Sequence, residues 1–210
     1  MMPVVAVSAI GAGGGSIVWT DAQGVLKVGP DSAGADPGPI SYNLGGTSPT
    51  VTDCYLTLGI IDPDQFLGGV QKLDRSKAEA ALCKVAKQLG IIGENRAAQA
   101  AEAALLVTST SMAGEMLKEL AKRGVDIAEM TLMPFGGAGP TNAFLLAEEA
   151  GIERLIIPPA AGTFCALGAL TADVKRDFVR SHRRPFSSEA NNSDIWESFA
   201  SLENEAKNFI

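Results

Sequence analysis

Two glycine-rich stretches are the places in this sequence where the backbone itself could do chemistry. The first is GAGGGS at residues 11–16, and the second is GGAGP at residues 136–140. Glycine loses much conformational entropy on folding, so a cluster of it indicates close approach of another backbone or of a ligand. Exposed backbone N–H groups can bind phosphate. A flexible hinge is the alternative for the first stretch, and tight helix packing is the alternative for the second.

The second stretch has the sequence context of a nucleotide-contacting loop. An apolar strand is predicted at residues 130–135 and a helix at residues 141–150, so GGAGP joins a strand to a helix. Pro140 lies near the first helical position, where its missing N–H costs nothing. The positive end of the helix dipole then points at the loop. We therefore predict nucleotide contact there.

The first stretch leads into a strand instead. The apolar, β-branched run that follows it predicts strands at residues 16–21 and 25–29, joined as a hairpin through residues 22–24. The dinucleotide-binding fingerprint requires a helix after the glycine loop, and Ser16 stands where its third glycine would be. This excludes a Rossmann site at residues 11–16.

Residues 29–69 are rich in Gly, Pro, Asp, Ser and Thr and predict one long loop. Such loops in compact domains usually bind something or are disordered. The interleaved aromatic residues Tyr42, Tyr55 and Phe66 favour an ordered binding loop over a linker.

The remaining pattern is helical and then α/β. A capping box at Ser76–Glu79 begins a helix that stops at Gly90, and a second helix runs from Asn95 to Arg123 before Gly124. Two strand, loop, helix units follow, at residues 130–150 and 154–172, which predict a parallel, right-handed arrangement. An extended segment at 174–181, a linker at 182–192 and a last helix from residue 193 complete the chain.

Composition places the chain among globular proteins and excludes several functions. It has 210 residues, 46% of them hydrophobic, and a formal net charge of −7, which argues against nucleic-acid or anionic-membrane binding. Three widely spaced cysteines, Cys54, Cys83 and Cys165, lie in apolar surroundings and predict buried, reduced thiols. No apolar run approaches the length of a membrane span and no secretion signal is visible, so we expect a cytoplasmic protein.

Six motifs in order carry a resemblance to a known family. They are GAGGGSIVW, VGPDSAGADPGP, GGTSPTVTD, LGIIDPDQFLGG, MPFGGAGP and LIIPPAAGTFCALGAL. Together they resemble the hydantoinase A and 5-oxoprolinase family, whose members include ATP-dependent N-methylhydantoinases and a subunit of acetone carboxylase. The resemblance extends to about residue 181.

This resemblance implies an α/β fold, namely one lobe of an actin-like ATPase of the sugar kinase, Hsp70 and ribonuclease H-like group, truncated at both ends. Residues 1–181 would be the lobe, 182–192 a linker and 193–210 the start of a helical segment. GAGGGS would be the second phosphate loop and GGAGP the adenosine loop. The implied cofactor-binding residues are Gly11, Gly13, Gly14, Gly15, Ser16, Gly136, Gly137, Ala138 and Gly139.

The implied activity is ATP-dependent opening of a lactam or hydantoin ring through phosphorylation of the amide oxygen, with ATP and Mg²⁺ as cofactors. Asp36 and Asp53 are the carboxylates expected to contact Mg²⁺, water or substrate, and ordinary turn capping is their alternative. The implied partners are a cyclic amide and a second hydantoinase-type subunit or domain. An ATP-dependent carboxylase subunit and a non-catalytic lobe are the alternative functions.

The chain departs from the family pattern at two histidine positions. Ser8 and Ala9 stand where a histidine and a threonine are usual, and Thr141 and Asn142 follow GGAGP where a histidine is usual. Metal ligands are therefore left open. Phosphate contacts through backbone N–H groups do not depend on these side chains.

Overall fold

A computed structural model describes residues 9–172, 176–181, 183 and 193–209 of the chain. Contacts between Cα atoms divide these residues into two compact units, one up to residue 169 and one from residue 170 onward. The first unit mixes helices with two small sheets and is of the α/β class. The boundaries predicted at residues 181 and 192 stay predictions, because the chain between them lies mostly outside the described residues.

The predicted hairpin is present. Strand β1 (Ser16–Thr20) pairs antiparallel with β2 (Leu26–Ser32), with Val18 opposite Val28 and Thr20 opposite Leu26. The Asp21 carboxylate fixes the turn, since its Oδ1 accepts hydrogen bonds from the N–H groups of Gln23 and Val25. On its other edge β1 is tied to residues 49 and 50, where Val18 N–H donates to the Pro49 carbonyl.

The prediction of one long loop at residues 29–69 is wrong, because part of this segment is helical. It contains helix α1 (Val51–Thr57), all seven residues of which are buried, and two short 3-10 turns at Ile40–Tyr42 and Phe66–Gly69. Thr50 and Asp53 cap α1 reciprocally, each side chain accepting from the other residue's N–H. The β-branched and polar residues of α1 are poor helix formers, so burial and capping, not propensity, make this segment helical.

Helix α2 (Arg75–Gln88) begins two residues earlier than the predicted capping box at Ser76–Glu79 implies. Its N-cap is Asp74, whose carboxylate accepts from the N–H of Lys77 and from the hydroxyl of Ser76. These hydrogen bonds lower the pKa of Asp74, the Ser76 bond contributing most. Glu79 forms an ion pair with Arg75 at 2.9 Å instead of closing a box with Ser76. The predicted stop at Gly90 is correct, and its φ of +73° is left-handed.

Helix α3 (Arg96–Lys122) matches the sequence prediction, with Asn95 as N-cap and a left-handed Gly124 after its end. Its alanine-rich face packs against α1 and α2 to form the main core. The buried Thr108 hydroxyl donates back to the Ala104 carbonyl at 2.7 Å, and Ser109 bonds the Leu106 carbonyl in the same way. These hydroxyls therefore form their hydrogen bonds with carbonyl groups of the same helix.

The predicted strand, loop, helix units are present with shorter strands. Strands β3 (Thr131–Leu132) and β4 (Arg154–Leu155) pair in parallel, and helix α4 (Gly139–Ala150) connects them. One side of α4 packs on α3 through a small core of Ala113, Leu146, Ala147, Ala150 and Ile152. Helix α5 (Phe164–Thr171) has no buried residue, and Cys165 on it is exposed, against the prediction that all three thiols are buried.

The second unit contains helix α6 (Ser193–Lys207) and residues 176–181, which have no regular secondary structure. Arg180 forms an ion pair with Glu205 and donates to the Ser201 hydroxyl at 2.9 Å. The Arg176 guanidinium lies over the rings of Phe178 and Phe209, 5.2 and 4.7 Å from their centroids. Of the extended segment predicted at 174–181, residues 174 and 175 lie outside the described residues.

A search of the described helices finds none with the length and apolar character that crossing a membrane requires.

Candidate functional site

The first glycine loop is fixed to its neighbours through its carbonyl groups. The Gly14 carbonyl accepts two hydrogen bonds of 2.9 Å, from the N–H and from the hydroxyl of Thr52 on α1. The Gly15 carbonyl accepts from Ala33 N–H at 2.9 Å. Within the described residues the N–H groups of Gly14 and Gly15 have no hydrogen-bond partner. The loop therefore offers donors while its acceptors are already used.

An added side chain would be crowded at both of these positions. A Cβ on Gly14 would lie 2.8 Å from the Thr52 hydroxyl, and a Cβ on Gly15 would lie 2.7 Å from the Ser32 hydroxyl. The same Gly14 Cβ would be 3.7 Å from the Cβ of Ala138 in the second glycine loop. The two loops, more than a hundred residues apart in sequence, are thus in van der Waals reach of each other.

The second glycine loop opens helix α4. Gly136 has a left-handed φ of +83°, and its N–H donates to the Ala161 carbonyl at 2.8 Å. Ala138 is the N-cap of α4 and Pro140 lies in its first turn, as the sequence predicts. Among the described residues, the N–H groups of Gly137 and Ala138 have no partner. The helix dipole adds positive potential at this end.

Both loops line one cavity of about 390 Å³, a size at the small end of ligand pockets. Among the described residues, no charged side chain lines this cavity. The lining residues are Gly14, Gly15, Gly34, Pro39, Tyr42, Thr52, Tyr55, Ile61, Phe66, Leu67, Gly137, Ala138 and Thr141. It therefore combines a cluster of free amide donors with an apolar, aromatic surface.

The predicted cofactor-binding residues divide into two groups. Gly14, Gly15, Gly137 and Ala138 line the cavity, and Gly136 and Gly139 flank the last two along the chain. Gly11, Gly13 and Ser16 line a separate depression of about 250 Å³. Ser16 is buried, and its hydroxyl accepts from Gly13 N–H at 3.0 Å, so it stabilises the turn.

Asp53 lies next to the cavity-lining Thr52, but its carboxylate is fully buried. It accepts hydrogen bonds from the N–H groups of Ile40, Ser41 and Thr50 and from the Thr50 hydroxyl, at 2.8 to 3.3 Å. This is the capping alternative that the sequence left open. A direct contact of Asp53 with Mg²⁺, water or substrate stays a prediction.

Asp36 is exposed and lies two residues from the cavity-lining Gly34. The described residues hold no group of three or more His, Cys, Asp or Glu side chains that could bind a metal ion. Of the two carboxylates predicted to contact Mg²⁺, water or substrate, Asp36 is therefore the exposed one. Ser8, at the position of a usual family histidine, lies outside the described residues, whereas Thr141 lines the cavity and Asn142 is buried.

Two tyrosines of the cavity keep their protons. Burial, and secondly the charge of Asp53, raises the pKa of Tyr42, and burial raises the pKa of Tyr55. The Tyr55 hydroxyl is buried and has no hydrogen-bond partner among the described residues. Tyr42 and Tyr55 are therefore neutral hydroxyl groups near the ligand space and carry no negative charge against a phosphate.

Sequence reasoning did not assign the apolar part of the lining, namely Pro39, Ile61 and Leu67, to a site. Tyr42, Tyr55 and Phe66 favour an ordered binding loop in the sequence but do not indicate what it binds. The sequence feature that indicates this surface is the presence of aromatic residues within a Gly and Pro-rich segment, because long loops in compact domains are usually either functional or disordered. The convergence of this segment with both glycine loops depends on tertiary structure.

Two curated proteins are similar to this chain in sequence. Acetophenone carboxylase gamma subunit of Aromatoleum aromaticum is 41% identical over 179 residues, which are 84% of this chain and 24% of that protein. Caprolactamase subunit alpha of Pseudomonas jessenii is 40% identical over 177 residues, 84% of this chain and 25% of that subunit.

Two solved structures have a similar fold. Nucleotide-free acetone carboxylase matches with a TM-score of 0.78 and 29% identity over 94% of this chain and 28% of that one. The ATP-dependent caprolactamase of P. jessenii matches with a TM-score of 0.69 and 32% identity over 93% of this chain and 28% of that one.

The chain spans about a quarter of the length of these curated relatives. The hydantoinase/oxoprolinase family model matches residues 1–178. The chain therefore belongs to the hydantoinase/oxoprolinase family.

Proposed function

We propose that this chain supplies the phosphate-binding part of an ATP-dependent enzyme that opens cyclic amides. The observation that carries the proposal is the convergence of two glycine loops on one cavity, where four N–H groups have no partner among the described residues. Oriented backbone amides at a turn and at a helix N-terminus bind phosphate. Because the described lining of this cavity has no charged side chain, we propose that backbone amides and the helix dipole provide its attraction for an anion.

The nature of the relatives supports ATP as the phosphate donor. One similar structure is described as an ATP-dependent caprolactamase and the other as an enzyme of ATP-dependent acetone carboxylation. For this chain we propose an actin-like lobe, in which GAGGGS serves as the second phosphate loop and GGAGP as the adenosine loop. Since the relatives are named as subunits, we also propose a second subunit or domain as partner.

The proposed chemistry solves the poor reactivity of an amide. The lactam oxygen attacks the γ-phosphorus of ATP, and the bond to the bridging oxygen breaks so that ADP leaves. Water then adds to the ring carbon, the ring C–N bond breaks with proton transfer to nitrogen, and an acyl phosphate forms. A second water hydrolyses the acyl phosphate to a carboxylate and inorganic phosphate. In such transfers the protein mainly positions groups and neutralises charge.

Individual residues have different parts in this proposal. The amides of Gly14 and Gly15 bind phosphate oxygens, and those of Gly137 and Ala138, in the adenosine loop, bind the phosphate next to the adenosine. Thr52 holds the first loop by donating to the Gly14 carbonyl. Asp36 is proposed to contact Mg²⁺ or water, and Mg²⁺ would neutralise phosphate charge. Asp53 acts through its neighbours, by fixing the start of α1 on which Thr52 and Tyr55 lie.

Calorimetric titration of the intact protein with a non-hydrolysable ATP analogue tests the proposal. Gly137→Val is the informative variant, because apart from its chain neighbours no described residue lies within 4 Å of a Cβ added there, so we expect the variant to fold. Gly114→Val, at an exposed and equally open position on α3, is the matched control. We expect the first variant to lose at least about tenfold in affinity, as blocking one phosphate donor implies, and the second to bind as the wild type does. Equal affinity in all three proteins rejects the phosphate site.

A carboxylase is the second candidate, since acetophenone and acetone carboxylases are among the relatives. The phosphate site would be used in the same way, but the acceptor would differ. ATP hydrolysis that depends on bicarbonate and not on a lactam would favour this candidate.

A further inference from the structure

We propose that Leu67 and its apolar neighbours bind the hydrocarbon ring of the cyclic amide, and that Leu67 sets the ring size that the cavity accepts. This inference rests on the proposed function and extends it to specificity. Its first observation is the left-handed backbone conformation of Leu67.

Leu67 has a left-handed backbone conformation, with φ of 50° and ψ of 41°. This region is unfavourable for a residue with a Cβ and is normally occupied by glycine or asparagine. Gly68 and Gly69, the next two residues, also have positive φ values of 68° and 84°. Of the three consecutive residues with positive φ, two are glycine, and the third, Leu67, is the one whose side chain lines the cavity.

Burial in the core does not compensate for this conformation. Leu67 is 66% exposed, whereas Tyr42, Ile61 and Phe66 beside it are half-buried and pack on a small core around Leu56 and Leu73. A leucine that is both strained and exposed contributes little to folding. Backbone outliers of this kind concentrate at ligand sites.

The surroundings of Leu67 form a continuous apolar surface. The rings of Tyr42 and Phe66 lie 5.5 Å apart between centroids and are tilted by 46°, and Ile61 packs in the same cluster. Phe66 and Tyr42 are thereby fixed by the fold, while Leu67 is the exposed member of this surface. A ligand that covers Leu67 would gain the apolar contact that the fold leaves unused.

The chemistry of this surface favours a lactam ring over a nucleobase. A purine has hydrogen-bonding groups along its edges, which need partners when they leave water. Leu67, Phe66 and Ile61 offer none, whereas the methylene groups of a lactam require none. The free amides in the same cavity bind the phosphate that is transferred to the lactam oxygen, so a small ring and a phosphate group share the space of about 390 Å³.

The test uses ATP hydrolysis by the intact enzyme, stimulated by unsubstituted lactams of increasing size from 2-pyrrolidone to ε-caprolactam. Leu67→Gly removes the side chain and suits the left-handed backbone, so folding is preserved. Val70→Ala, on the same turn and 88% exposed but outside the cavity lining, is the matched control. We expect Leu67→Gly to shift the preference in kcat/KM toward larger rings by roughly tenfold per methylene group, with the KM for ATP unchanged. Val70→Ala should keep the wild-type ranking.

Two results would overturn the inference while leaving the proposed function intact. One is an unchanged ranking of lactams in Leu67→Gly. The other is an increased KM for ATP with an unchanged ranking, which would assign the apolar surface to the nucleoside. If no lactam stimulates ATP hydrolysis by the wild type, the proposed function itself fails, and the inference fails with it.

Discussion

The two glycine loops of the cavity differ in why they contain glycine. In the first, Cβ atoms on Gly14 and Gly15 would lie within 2.8 Å of side-chain hydroxyls, and both carbonyl groups are hydrogen-bonded. In the second, nothing lies within 4 Å of a Cβ built on Gly136 or Gly137. Gly136 needs its left-handed φ, but Gly137 has neither a positive φ nor a crowded neighbourhood.

A glycine-rich stretch can therefore have two physical causes, namely crowding by neighbouring side chains or an open backbone that a ligand can approach. Packing against Thr52 and Ser32 suffices to explain Gly14 and Gly15, so these glycines are not by themselves evidence of a ligand. Packing does not explain Gly137, whereas the close approach of a ligand that we propose would. A variant at Gly137 is therefore the cleaner probe of binding, and a variant at Gly14 is the cleaner probe of folding.

The largest effect is expected where the anchor of the first loop is removed. In Asp53→Asn the new amide nitrogen faces N–H donors of residues 40, 41 and 50, which the carboxylate now satisfies. Buried donors without acceptors are costly, so we expect a loss of about 3 kcal/mol in the free energy of unfolding, measured by urea denaturation. Asp31→Asn, at an exposed position of β2, is the control and should change stability by less than about 0.5 kcal/mol. Equal stability of the two variants would show that α1 does not depend on this cap.

Next in size is the effect of an added methyl group in the first loop. Gly14→Ala must displace the Thr52 hydroxyl, so we expect a loss of about 1–3 kcal/mol in unfolding free energy. Gly137→Ala should leave stability within about 0.5 kcal/mol of the wild type, because its surroundings are open. The comparison of the loops is wrong if both variants lose the same stability in parallel thermal and urea unfolding.

How far the sequence predicts this fold depends on where the determining interactions lie. The hairpin, the ends of α3 and the stop of α2 at Gly90 follow from residues close in sequence, and these predictions are confirmed. Helix α1 was missed because its residues are poor helix formers, and its seven buried residues obtain their stability from contacts with α2 and α3. The N-cap of α2 was misplaced for a local reason, since Asp74 and Ser76 both suit capping and only geometry distinguishes them.

The site was predictable in part for the same reason. Glycine-rich turns are visible in the local sequence, so Gly14, Gly15, Gly137 and Ala138 are predictable as candidate phosphate-binding residues. That all four line one cavity follows only from the tertiary structure. The apolar surface was not predictable, because Tyr42, Phe66 and Leu67 come from two turns that the missed helix α1 separates in the chain. The left-handed conformation of Leu67 has no sequence signal either, since leucine is an unusual residue there.

A smaller effect is expected when one of the two hydrogen bonds to the Gly14 carbonyl is removed. Thr52→Val deletes the hydroxyl donor and keeps the N–H donor and the shape of the side chain, so we expect a loss of about 1 kcal/mol in unfolding free energy. Thr141→Val, on the side of the second loop, should change stability by less than about 0.5 kcal/mol. Hydrogen exchange would locate the change at the amides of residues 13–16 in the first variant. A larger loss in Thr141→Val would reverse the assignment of the tight and the open loop.

The last comparison is between the buried thiol of Cys54 and the exposed thiol of Cys165, and it is tested by chemical labelling without changing any residue. Cys54 lies in the core beside α1, where burial and then the charge of Asp53 raise its thiol pKa, whereas Cys165 on α5 is exposed. Because the thiolate is the reactive species, Cys54 stays unreactive toward Ellman's reagent near neutral pH and Cys165 reacts first, with the half-buried Cys83 between them. Raising the pH should still leave Cys54 unlabelled until the protein unfolds, because burial keeps the pKa of its thiol high. Peptide mass spectrometry of partly labelled protein identifies each site, and labelling in urea is the control in which all three thiols react alike. Rapid native labelling of Cys54 would mean that α1 opens readily, and the first glycine loop would then be no more firmly held than the second.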